Sequence, residues 1–184
     1  MKSIMISIQP QWVKKILKGE KTIEIRKTMP KCELPCKVYI YCTLGNSKNK
    51  DIGVCLGEEY NYICYEFGKV VAEFTLNEVE DFSKWEYDFG ALVRHLDLWA
   101  GTKGDYPFLI DYLKGQKKGY AWHIDNLKIY DKPKLLQEFF NPCEGCDKLG
   151  TDRCTEEISY CRAKVLQRPP QSWCYCEGVS DDKE

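Results

Sequence analysis

Histidine is almost missing from this 184-residue chain: His95 and His123 are the only two. His95 falls in a helical run and His123 beside Trp122 on a strand, so each reads as a structural or solvated residue rather than a catalytic base. There is no P-loop, no dinucleotide-type glycine pattern and no G-x-S-x-G elbow, which removes familiar phosphate-binding and serine-hydrolase machinery. No repeat of roughly 20–50 residues appears, so solenoids and propellers are excluded. No apolar run is long enough to span a bilayer. The segment "MKSIMISIQPQW" has neither a sustained apolar stretch nor a small-residue cleavage site, so no signal peptide is read and a cytosolic chain is expected. Excess charge of one sign is also missing: the formal net charge is −1, unlike a general nucleic-acid coat protein.

What is present is unevenly spread. Residues 1–50 hold eleven Lys and Arg against three Glu, a net +8, while the remainder holds 16 basic against 25 acidic residues, a net −9. Such asymmetry suits one face for an anionic partner, or simply lysines on the wet side of one helix. Hydrophobic content of 43% and charged content of 30% are ordinary for a globular protein. The length suits one domain with a real core, here residues 1–178, and a polar, disordered tail at 179–184.

The N-terminal half reads as strand, helix, strand. "SIMISI" (3–8) is an apolar-rich strand. Pro10 then stands where helices begin, and Trp12, Val13, Ile16 and Leu17 share one helical face. Gly19 suits the left-handed position after a helix. In "KTIEIRK", strand alternation puts Ile23 and Ile25 toward a core and Thr22, Glu24 and Arg26 toward water or a cleft. Glu24 and Arg26 would then be about 6.5–7 Å apart by Cα, close enough to pair. An exposed pair contributes only ~0–1 kcal/mol, a weak structural reason to hold both.

"KVYIYCT" (37–43) and "KVVAEFTL" (69–76) read as strands around a loop, "GNSKNKDIG". Residues 89–101 and 108–115 have helical character, and "YAWHIDNLKIYD" (120–131) returns to strand, with Pro133 as its stop. The sum is α+β: a small mixed β-barrel with flanking helices.

"SIQPQWVKKILKGEKTIEIRK", "VYIYCT", "GKVVAEF" and "YAWHIDNL" together resemble the ASCH (activating signal cointegrator homology) domain, over roughly residues 3–136. The resemblance rests chiefly on Gly19, Lys21, Glu24 and Arg26, which fit a G-x-K-x-x-E-x-R signature. It extends to phage- and prophage-encoded members. It implies a PUA-like barrel binding RNA or a modified nucleotide or nucleoside in a cleft lined by Lys21, Glu24 and Arg26, with "RPPQSWCY" (168–175) as the closing strand. The chemistry agrees: Arg26 offers a planar fork and Lys21 a compact cation for phosphate. Glu24 can accept from a base amine or serve as general acid or base. Thr22 shares their face. Trp12, Trp122 and the tyrosines of "VYIYC" are candidate stacking surfaces, with core packing the competing reading for each.

One branch of the family is similar to amidohydrolases acting on acetylated cytidine and carries a threonine two residues before the arginine. Glu24 stands in that place here. Turnover, as a nucleoside amidohydrolase or a ribonuclease, would therefore rest on Lys21 and Glu24 in the same cleft.

Eleven cysteines are many for a cytosolic chain. Four of them, Cys143, Cys146, Cys154 and Cys161, follow the pattern C-x2-C-x7-C-x6-C in a polar stretch. Four thiolates suit a closed, structural, tetrahedral zinc site, and a short polar segment would draw its folding free energy from the metal. An iron–sulfur cluster and unliganded or disulfide-bonded cysteines are the alternatives. Cys174 or Cys176 could replace one ligand. This zinc knuckle, residues 141–164, would be an insertion before the closing strand, and it could also dock a protein partner. Cys32 and Cys36 form a second pair, while Cys42, Cys55 and Cys64 read as small buried hydrophobes.

Overall fold

The computed structural model describes residues 2–44, 54–56, 63–65, 67–81, 112–113, 119–142 and 165–178 of the chain. The apolar "SIMISI" forms β1 (Ser3–Ile8), buried on both faces from Ile4 onward. Helix α1 (Pro10–Leu17) follows, with proline at its start and Val13, Ile16 and Leu17 on its buried face. Each such aliphatic side chain, fully buried, contributes on the order of 1.5–3 kcal/mol. Gly19 ends the helix at φ 71°, a left-handed turn for which only glycine is unstrained. Its N–H donates to the Ile16 carbonyl at 2.9 Å, the bond pattern of a glycine-terminated helix.

The strands after it are β2 (Ile23–Arg26), β3 (Cys36–Cys42), β4 (Val54–Leu56), β5 (Ile63–Tyr65), β6 (Lys69–Leu76), β7 (Val79–Asp81), β8 (Tyr120–His123), β9 (Asp125–Lys134) and β10 (Trp173–Cys176). They make three sheets: β10-β1-β3-β6-β9, β2-β8-β7, and the β4-β5 pair. β1 and β3 run parallel, and the other pairings are antiparallel. The chain is thus mostly β with one regular α-helix among the described residues.

Several expectations need correction. The strands do not close into a barrel among the described residues: β9 and β10 are the two edges of the five-stranded sheet, and β2 pairs with β8 instead of joining that sheet. The "YAWHIDNLKIYD" run is not one strand. It changes sheet at Ile124, whose N–H donates to the Thr22 carbonyl at 2.9 Å, and Asn126 takes φ 49° just beyond. Pro133 does not stop β9, which reaches Lys134 at the sheet edge, where proline is tolerated. Of the two expected helices, residues 89–101 lie outside the described residues, and 108–115 are described only at Tyr112 and Leu113, both helical. The tail 179–184 also lies outside them.

Two cores form on the faces of the five-stranded sheet. On the front, Ile4, Ile6, Ile8, Val38, Ile40, Phe74 and Leu76 pack with α1 and with Trp122 from β8. On the back, Met5, Tyr39, Tyr41, Val70 and Tyr130 are covered by Leu136, Phe139 and Leu166. The chain leaves this back cover at Phe140 and returns at Val165, and the two residues are bridged to each other.

Candidate functional site

Strand β2 is buried at all four positions. Ile23 and Ile25 are inside, as alternation predicts, but Glu24 and Arg26 are no less so. Lys21, Glu24 and Arg26 retain 4%, 8% and 7% of their exposure. The reason lies in the register: Glu24 stands opposite Trp122, a fully buried member of the front core, and Arg26 stands opposite Tyr120. The charged face of β2 is therefore turned inward, toward β1 and β10, and not outward to solvent.

The three side chains form one ion triad. Glu24 Oε2 lies 3.3 Å from Lys21 Nζ and Glu24 Oε1 lies 3.1 Å from Arg26 Nη2. Lys21 Nζ also donates to the Ile23 carbonyl at 2.5 Å and sits 5.6 Å above the Trp12 ring. Trp12 is half-buried on α1, with Lys15 5.0 Å from its ring. Burial pulls the Lys21 ammonium below the ordinary lysine range, against the opposing pull of Glu24. Arg26 reaches further: Nη2 donates to the Ser7 carbonyl at 2.8 Å and Nη1 to Ser172 Oγ at 3.2 Å. It thereby ties β2 to the place where β1 and the start of β10 meet, beside the Ser7 N–H bond to the Ser172 carbonyl.

Besides the buried Ser7 hydroxyl, two nitrogen donors have no acceptor among the described residues: Arg26 Nε and Trp122 Nε1. Both are buried, and both belong to neighbouring positions of the β2–β8 pair. An unsatisfied buried donor costs about 1–3 kcal/mol, so each calls for an acceptor oxygen beyond those of the described residues. Trp122 packs on Trp173 at 5.7 Å between ring centroids, and Trp173 on Tyr175 at 5.4 Å.

The expected residues are thus partly brought together. Lys21, Glu24, Arg26 and Trp12 meet. Trp122 lies beside Glu24 as a wholly buried core residue, with an indole N–H and no exposed stacking face. Thr22 is exposed, apart from the triad's buried face. The tyrosines Tyr39 and Tyr41 of β3 belong to the back core. His123 is half-buried opposite Ile23, away from the triad's face. His95 lies outside the described residues.

Sequence reasoning missed Ser7, Ser172, Trp173 and Tyr112. Burial raises the Tyr112 hydroxyl above the usual tyrosine range while the nearby Arg26 lowers it and Glu24 raises it, so this tyrosine stands at the triad. The Lys27 ammonium lies 5.0 Å from its ring. No local signal links residues 112 or 172 to residue 26; only the assembled sheets do.

Cys143, Cys146, Cys154 and Cys161 lie outside the described residues, as do the side chains of Cys55 and Cys64. Among the described residues, no three His, Cys, Asp or Glu side chains gather as a metal site. Cys174 and Cys176 are free thiols on β10, and Cys42 is buried in the front core. No helix among the described residues is long and apolar enough to cross a membrane.

No protein-family model matches the chain, and no curated protein matches it. Solved structures do. The crystal structure of ASCH from Zymomonas mobilis is 20% identical, with a TM-score of 0.55, over 95% of this chain and 87% of that one. Two single-residue variants of the same protein, a tyrosine-to-phenylalanine and a serine-to-alanine, are each 19% identical at the same TM-score over 95% of this chain, covering 90% and 87% of theirs. The chain has the fold of that ASCH domain.

Proposed function

We propose that the chain is a cytosolic ASCH-type domain that binds RNA or a modified nucleotide at the Lys21–Glu24–Arg26 site. The observation that carries this reading is the buried triad with two acceptor-seeking donors beside it. Taking charges out of water costs several kcal/mol per ion, and such a cluster is weak support for stability. One carboxylate against two cations leaves a positive excess, and Arg26 Nε and Trp122 Nε1 would both donate to incoming oxygens. Phosphate and base carbonyl oxygens supply them.

The test is anisotropy of labelled single-stranded RNA and of nucleotides with the full chain at several salt concentrations. Affinity should fall linearly on a log–log plot as salt rises. Arg26→Lys keeps the charge and loses the fork, and should weaken binding in a chain that circular dichroism shows to be folded. Absence of any salt-dependent binding by the parent chain overturns the reading.

One observation favours turnover at the same site. Lys21 is held below its ordinary range by burial, which is how a lysine becomes a usable proton acceptor. A ribonuclease or nucleoside amidohydrolase reading then gives Lys21 and Glu24 the proton transfers. Release of product from labelled RNA or acetylated cytidine, lost in Glu24→Gln with binding retained, distinguishes this from binding alone.

The zinc reading belongs to the same proposal. The excursion 141–164 starts and ends at the Phe140–Val165 bridge, and four cysteine thiolates are the donor set of a closed structural zinc. Elemental analysis should find about one zinc per chain, lowered in Cys146→Ser. A metal-free, fully reduced protein overturns it, and a chain captured by a protein partner only when zinc is bound would make the knuckle a docking element.

A further inference from the structure

Cys32 and Cys36 take no part in the triad, yet the fold brings them into contact: the two Sγ atoms are 3.4 Å apart. Cys36 is the first residue of β3, opposite Leu76, and sits in the front core. Cys32 packs half-buried against the same core from the loop that precedes β3. That loop, residues 27–35, begins directly after Arg26. Its outer part is held to β10 at two points: Trp173 Nε1 donates to Thr28 Oγ1 at 2.9 Å, and the Lys31 N–H donates to Tyr175 Oη at 2.6 Å. A disulfide is about 2.05 Å long, so a modest shift of Cys32 on its loop separates contact from bond.

We propose that Cys32 and Cys36 are a reversible dithiol–disulfide pair that fastens the 27–35 loop to the head of β3, with hydrogen peroxide as oxidant. The Cys32 sulfur, as thiolate, attacks one peroxide oxygen. The O–O bond breaks, and the departing hydroxide takes up a proton to become water. The Cys36 sulfur then attacks the Cys32 sulfenic acid. The S–S bond forms, the S–OH bond breaks, and hydroxide leaves with the Cys36 proton as a second water. Each sulfur gives up one electron and each peroxide oxygen gains one.

The roles follow from placement. Cys32 is the thiol an oxidant reaches, while Cys36 is 3% exposed and so attacks only the neighbour it touches. Burial, with the Cys32 contact adding to it, pushes the Cys36 thiol up to about 12, which keeps it protonated and unreactive until the sulfenic acid forms. In a reducing cytosol such a bond is transient, as redox-responsive pairs are. The proposal stands apart from the identity of any ligand at the triad.

The test is a hydrogen peroxide titration of the reduced full-length chain, followed by alkylation and peptide mapping. A 32–36 cross-link should appear ahead of any other cysteine pair and revert with dithiothreitol. Amide exchange in residues 27–35 should slow on oxidation and recover on reduction. Cys36→Ser should lose the cross-link completely and leave Cys32 as a sulfenic acid trapped by dimedone. The proposal falls if both thiols remain alkylated at peroxide levels that oxidise other cysteines. It falls equally if Cys32 bonds elsewhere, or if loop exchange is unchanged by the cross-link. The parent-chain map decides even where the variant fails to fold.

Discussion

Glu24 and Glu73 are the two buried carboxylates among the described residues, each 8% exposed, and they are neutralised in opposite ways. Glu73, on the back of the five-stranded sheet, accepts from Tyr130 Oη at 2.6 Å and pairs at 3.4 Å with Lys37, whose side chain is 46% exposed. Its partners are a neutral hydroxyl and a cation that stays nearly half exposed, so only the carboxylate charge is withdrawn from water. Glu24 instead holds two cations that are as buried as itself, beside two donors with no acceptor among the described residues. Packing explains the first arrangement. The second is weak support for stability, because desolvating three charges offsets much of their mutual attraction, and it is this contrast that the proposed binding role addresses.

Substitutions can break this contrast. The largest effect should come from Arg26→Ala. It strands the buried Glu24 with Lys21 alone and cuts the ties to Ser7 and Ser172, so it should destabilise the chain by about 3–5 kcal/mol in denaturant unfolding. An outwardly turned strand face, as alternation alone suggests, would give almost no change. Tyr130→Phe removes a buried hydrogen bond to a charged group and should cost about 1.5–3 kcal/mol, with nucleotide binding untouched.

Alkaline pH provides a smaller and signed test. Burial pushes the Cys42 thiol up to about 12 from 9.0 and raises Cys176 still further. Between pH 9 and 12 the folded chain therefore binds more protons than the unfolded one, and stability falls as pH rises. At pH 10 each such thiol accounts for about 1 kcal/mol of that loss. Lys21, lowered by burial, acts with the opposite sign: below 10.5 the unfolded chain binds the extra proton, so its contribution to stability grows with pH. Cys42→Ala should flatten the alkaline decline and Lys21→Met should steepen it, read as the change in unfolding midpoint with pH. Lys37→Ala should do least, about 0–1 kcal/mol, because its side chain is nearly half exposed.

Much of this was legible in the sequence. "SIMISI" and "KVVAEFTL" are the strands they seem to be, and Pro10 and Gly19 bracket α1. The pairing of Glu24 with Arg26 follows from two-residue spacing on a strand. What alternation could not supply was that both faces of β2 are covered, because polarity marks one face as wet only when nothing packs on it. Nor could it show the break in "YAWHIDNLKIYD": the residues on both sides of Ile124 have strand character, and the change of sheet is set by the partners β2 and β6, distant in sequence. Arg26 meeting Ser172 is likewise a property of the assembled β1–β10 edge.

The change of sheet at Ile124 has a counterpart. β6 passes into β7 through Asn77 and Glu78, also moving from the five-stranded sheet to the three-stranded one. The two passages are laced together by Asn77 Nδ2 donating to Asp125 Oδ2 at 3.0 Å and by the His123 N–H donating to the Glu78 carbonyl at 3.1 Å. Opening one sheet would pull on the other through these two continuous strands and the bonds between them. Native-state hydrogen exchange should accordingly report a single cooperative foldon, with the amides of β2 and β8 sharing the opening free energy of β6 and β9. On that expectation the Lys21–Glu24–Arg26 ion triad, held between β2 and the β1–β10 edge, should come apart only when both sheets open together.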